Sequence, residues 1–88
     1  MSARDPHRAL LRALVARHPD LLILDSRHEP WASATFTGAR HCLTCATGPY
    51  LAGIEDAEFA LAGHIVADLA VEHHDGQVVI EALTIECA

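Results

Sequence analysis

From His64 to Cys87 the chain reads HIVADLAVEHHDGQVVIEALTIEC, two alternating apolar and polar runs joined at Asp75-Gly76. Asp-Gly between two such runs is a strong hairpin signal. Two registers are open. A two-residue loop pairs His74 with Gln77, Leu69 with Ala82 and Ile65 with Glu86. A three-residue loop pairs His73 with Gln77 and gives Gly76 the left-handed position of a bulge. The second register opposes Ile65 to Ile85, Ala67 to Leu83 and Val71 to Val79 on one face. Register follows the hydrophobic pattern, so this one is expected. His64, Asp68, Glu72, Thr84 and Glu86 then fall on a wet acidic face, with His64 opposite Glu86. Glu81 points at the core opposite Leu69, where a carboxylate needs a partner such as Arg27 or Arg40, or else lies in a functional pocket.

The rest of the chain must supply the remaining layers. Met1–Arg4 is expected to fray. Asp5 as N-cap and Pro6 at the first position predict a helix from Pro6 to His18, stopped by Pro19. Its apolar stripe is Leu10, Ala13 and Leu14, continued by Arg17. Leu21–Arg27, with the run LLIL, reads as a strand covered on both faces. His28-Glu29-Pro30-Trp31 reads as a turn. A second strand from Ser33 to Ala46 keeps its phase only with a bulge at Gly38. Ala34 and Phe36 face inward before it; Ala39, His41, Leu43 and Cys45 face inward after it. Thr47-Gly48-Pro49 ends that strand. Ile54–Leu61 carries a short helical stripe with Gly63 as its stop; an irregular loop with an edge strand at Glu58–Leu61 is the alternative.

These elements give an α+β fold. An N-terminal amphipathic helix packs on a four-stranded, mostly antiparallel sheet built from two hairpins, with a short helix between them. Residues 1–88 make one domain with a small core. One helix leaves part of such a sheet bare, so dimerisation is expected.

Charge changes the picture of partners. Residues 1–40 hold all six arginines and four acids; residues 41–88 hold eight acids and no Lys or Arg. An acidic chain with one Trp and one Tyr lacks the basic stripe and stacking platform of nucleic-acid binders. No run approaches the ~20 apolar residues of a membrane helix. Three cysteines, an odd count, fit free thiols in the cytoplasm.

Candidate chemistry is sparse. Cys42 and Cys45 form a CxxC that could join Cys87 and His73 in a zinc set. Residues three apart on a strand face opposite ways, however, so structural thiols and no cofactor are expected. Glu81 and His41 are candidates for a pocket. Trp31, Arg8, Arg12, Asp68 and Glu72 are candidates for protein contacts. Phosphate loops, nucleophile elbows and zinc-protease helices are absent from the sequence. The expectation is a non-catalytic interaction module acting as a homodimer, with a metal- or small-ligand-binding domain as the alternative.

Overall fold

The computed structural model describes residues 5–46, 51 and 53–87. The expectations for Met1–Arg4 and for Thr47-Gly48-Pro49 fall outside them. In chain order the elements are α1 (Pro6–Arg17), β1 (Ile23–Ala32), β2 (Thr37–Ala46), β3 (His64–His74) and β4 (Gln77–Glu86). A single 3-10 turn, Ile54–Asp56, stands where the short helix was expected. The sheet is antiparallel throughout in the order β1-β2-β4-β3, so two hairpins meet along β2 and β4. The fold is therefore α+β as the sequence predicts. No helix among the described residues is long and apolar enough to cross a membrane.

Helix α1 begins where expected. The Asp5 carboxylate accepts from the backbone N–H groups of His7 at 3.1 Å and Arg8 at 3.2 Å. These are two of the donors a helix start leaves unpaired. Its buried stripe is His7, Leu10 and Leu14. Spacings of three and four put these residues on one face. Leu10 and Leu14 are fully buried against Leu43, Cys45, Ile80, Val78 and Leu69. Leu51, Ile54 and Leu61 complete the same core from the segment before β3.

The sheet departs from the expected pattern in four places. First, β1 is an edge strand, not a strand covered on both faces: Leu22 is 59% and Leu24 52% exposed. Second, β1 runs through His28–Trp31, and the turn is Ser33–Phe36 instead. Ser33 N–H donates to the Phe36 carbonyl at 2.8 Å, which makes the odd residues of β1 the ones hydrogen-bonded to β2. Pro30, an even residue, then turns its missing N–H to the free edge, where a strand tolerates proline. Ala34 and Phe36 lie in the turn and are exposed.

Third, Gly38 is not a bulge; β2 pairs regularly with β4 from Gly38 to Ala46. Its glycine answers to crowding. A Cβ there would stand 1.9 Å from the Thr84 carbonyl oxygen. Ala39, His41, Leu43 and Cys45 nevertheless face inward as expected. Fourth, the last hairpin uses both registers. Near the turn His74 pairs with Gln77 and Leu69 with Ala82; beyond a bulge at Ala67, Ile65 pairs with Ile85 and His64 with Glu86. The core face of β4 is therefore Val78, Ile80, Ala82 and Thr84, all buried. Val79, Leu83 and Ile85 lie on the outer face, and Glu81 is exposed there opposite Ala70 with no need of a buried partner.

Candidate functional site

Two regions of the sheet have unexplained chemistry, one on each face. On the inner face a hydrogen-bonded chain joins α1, β1, β2 and β4. His7 and His41 face each other Nδ1 to Nδ1 at 2.9 Å. His7 Nε2 meets Ser26 Oγ at 3.1 Å, and His41 Nε2 meets Thr84 Oγ1 at 2.9 Å. The Thr84 hydroxyl donates to the Ala39 carbonyl at 3.4 Å. His7, His41 and Thr84 are buried and Ser26 is half-buried.

The direction of this chain follows from its last link. A hydroxyl has one hydrogen. If Thr84 donates to Ala39, it accepts from His41 Nε2–H. The neutral His41 then offers a lone pair at Nδ1, so His7 donates from Nδ1–H. His7 Nε2 is left as an acceptor, and the Ser26 hydroxyl donates to it. The tautomers are thus assigned from the network. Every polar atom in the chain from Ser26 to Ala39 is satisfied with both imidazoles neutral.

Three strand features aim the side chains. The bulge at Leu24, between the pairs Ile23–Cys45 and Asp25–Thr44, shifts the phase of β1 so that Ser26 and His28 face α1. His28 stands opposite His41 and Ser26 opposite Leu43 at the non-hydrogen-bonded sites, where side chains approach most closely. His28 stacks on His7 with centroids 4.3 Å apart. The rings of His7 and His41 lie within 3° of one plane with centroids 5.2 Å apart. With nitrogen facing nitrogen, that is edge-to-edge contact within a plane rather than a stack.

Burial and neighbouring imidazoles resist a positive charge here. Desolvation, then repulsion from His7 and His28, pushes the His41 pKa down to about 4. Desolvation and His28 lower that of His7 as well. The pair is not a ready metal site. An ion bonded at about 2.0–2.1 Å to each nitrogen does not fit on the line between them. Among the described residues no three His, Cys, Asp or Glu side chains are grouped so as to hold a metal ion.

The outer face carries no covering layer among the described residues. One row across all four strands is Trp31, Gly38, Ile85 and Ile65. Ile65 is 51% exposed and Trp31 half-buried. The next rows are Glu29, Arg40, Leu83, Asp68 and then Arg27, Cys42, Glu81, Ala70. Among the described residues the one ion pair is His74 with Glu72 at 3.5 Å, so Arg27 and Arg40 are not engaged in one there.

The residues singled out from the sequence are distributed between these regions. Trp31, Asp68 and Glu72 fall on the outer face. Arg8 and Arg12 are exposed on α1, across the sheet from them. Glu81 and His41 line one open outer-face depression of about 440 Å³. The His41 imidazole, however, is turned to the inner face and engaged there. The cysteines do not converge. Cys45 is buried on the inner face, where desolvation raises its pKa, and Cys42 is on the outer face. Cys87 follows the far end of β4, while His73 sits beside the Asp75-Gly76 turn. His7, Ser26, His28 and Thr84 were not read as a site. The spacing of His7 with Leu10 and Leu14 carried its burial; its meeting with Ser26 depends on a bulge that the pattern of LLIL hides.

Comparison with protein-family models, curated proteins and solved structures gives no match.

Proposed function

We propose that the protein is an interaction module that pairs with a second copy of itself through the outer face of its sheet. The observation behind this reading is the uncovered face with an apolar row running across all four strands. Four strands of about ten residues offer roughly 19 by 33 Å from strand spacing and rise. That is on the order of the ~800 Å² per partner in stable complexes. Half-buried Val79, Leu83 and Ile85 and exposed Ile65 supply the apolar centre.

The outer face carries Arg27 and Arg40 beside the acids Asp25, Glu29, Asp68, Glu72 and Glu81, so charge selects no single arrangement and the apolar row is the basis of the pairing. Three free cysteines suit a reducing compartment such as the cytoplasm.

Sedimentation tests this directly. The wild type is expected at twice the 9.5 kDa chain mass. Ile65→Lys, which puts a charge at the exposed β3 end of the apolar row, is expected to run as a folded monomer. A wild type that remains monomeric up to millimolar concentration refutes the self-pairing.

A further inference from the structure

We propose that Ser26 is a nucleophile for acyl transfer, with His7 as its general base and His41 as the residue that positions His7. This site lies across the sheet from the outer face and is independent of any pairing there. Nucleophile, base and orienter within hydrogen-bond reach of one another define such a site. Here the distances are 3.1 Å from Ser26 Oγ to His7 Nε2 and 2.9 Å from His7 Nδ1 to His41 Nδ1.

The direction of the chain makes the geometry chemically specific. Thr84 donates to Ala39, so His41 presents a lone pair to His7 Nδ1–H. That holds His7 in the tautomer whose Nε2 lone pair faces the Ser26 hydroxyl. Nε2 on the nucleophile and Nδ1–H on the orienter is the division of roles in a Ser-His-Asp triad, with a neutral imidazole in place of the carboxylate. An imidazole that stays neutral is also the form that accepts a proton.

The edge of the sheet supplies the remaining parts. Odd residues of β1 bond to β2, so the backbone N–H of Ser26 points out of the free edge beside its own hydroxyl. A nucleophile's own N–H is a donor suited to a developing oxyanion. Exposed Leu24, two residues before Ser26 on the same edge, offers apolar contact to an acyl chain. Small carboxylic esters are therefore the substrate class.

The step balances as follows. Ser26 Oγ attacks the ester carbonyl carbon while its proton passes to His7 Nε2. The carbon–oxygen bond to the alcohol breaks, and the alcohol leaves with that proton. Water, activated by the same nitrogen, then hydrolyses the acyl-serine and regenerates Ser26.

A fluorophosphonate probe tests the nucleophile, because its attack expels fluoride and leaves a stable adduct for peptide mass spectrometry. The intact protein is expected to carry one adduct, on Ser26, and Ser26→Ala none. His41→Phe is expected to lose the adduct and His41→Gln, which keeps an acceptor, to regain part of the rate. A folded wild type without an adduct, or one labelled equally at Ser33, overturns the proposal. An independent reading uses the thiol introduced by Ser26→Cys. Beside His7 it is expected to react with iodoacetamide at pH 6.5 about 10-fold faster than exposed Cys87 in the same chain. Equal rates mean that the imidazole pair only clamps α1 to the sheet.

Discussion

An added Cβ at Gly38 would stand 1.9 Å from the Thr84 carbonyl oxygen and 2.9 Å from its carbonyl carbon. Both atoms belong to the β4 backbone and cannot swing aside. Gly38→Ala therefore has to part β2 from β4 at the centre of the sheet, beside the Thr84 link to His41. The expected cost is about 3 kcal/mol, the upper range for forcing a group into a filled interior. Urea unfolding of the variant measures it, and a loss below about 0.5 kcal/mol, the usual surface value, would contradict the crowding. The sequence reading placed a special role at Gly38 but the wrong one. A strand glycine can mark either a bulge or a close backbone approach, and the two differ only in what lies opposite.

The phase of each strand is set by its bulges, and here the sequence was least readable. Both bulges fall inside apolar runs, at Leu24 in LLIL and at Ala67 in HIVADLAV, where an extra residue leaves no break in polarity. Capping chemistry and turn chemistry were local. Asp5-Pro6 and Asp75-Gly76 were therefore legible, and so were the α+β class and the two hairpins. The inner face of β2 was legible too, because it alternates without interruption. The histidine site was not, since its members meet only after the β1 bulge turns Ser26 and His28 toward α1. Two variants test this account. Deleting Ala67 removes the unpaired residue and sets Val66–Thr84 directly beside Asp68–Leu83, so every pair and every face is kept. That deletion is expected to cost less than about 1 kcal/mol, whereas deleting Leu69 draws Asp68 into the core position opposite Ala82 and is expected to cost roughly 3 kcal/mol or more. Equal melting temperatures for the two deletions would show that the bulge does not set the register.

At the scale of the molecule, the imidazole pair makes stability depend on pH in a defined window. Asp5, His28 and His64 also face the pair, and the imidazoles outweigh the single carboxylate in disfavouring its charged form. His41 titrates at about 4 in the folded chain against 6.5 for an ordinary histidine. The unfolded chain therefore binds the proton more readily, and stability rises with pH between these values. The contribution is fully present above about pH 6.5 and is lost as pH falls toward 4, by on the order of 2–3 kcal/mol. His7 acts in the same direction, but the facing Nδ1 atoms leave room for one hydrogen between them, so the pair titrates as a unit. Asp5 acts in a separate window. Its carboxyl is held below the usual 3.8 by the N–H groups it caps, so that contribution fades only in stronger acid. Unfolding free energies at pH 7.5, 6, 5 and 4 separate the two. A decline that starts below pH 6.5 and flattens in His41→Leu belongs to the pair. A curve flat from pH 6.5 to 4.5 would mean that the buried imidazoles already carry a proton in the folded chain, and with it the assigned direction of the Ser26–His7–His41–Thr84 chain would fall.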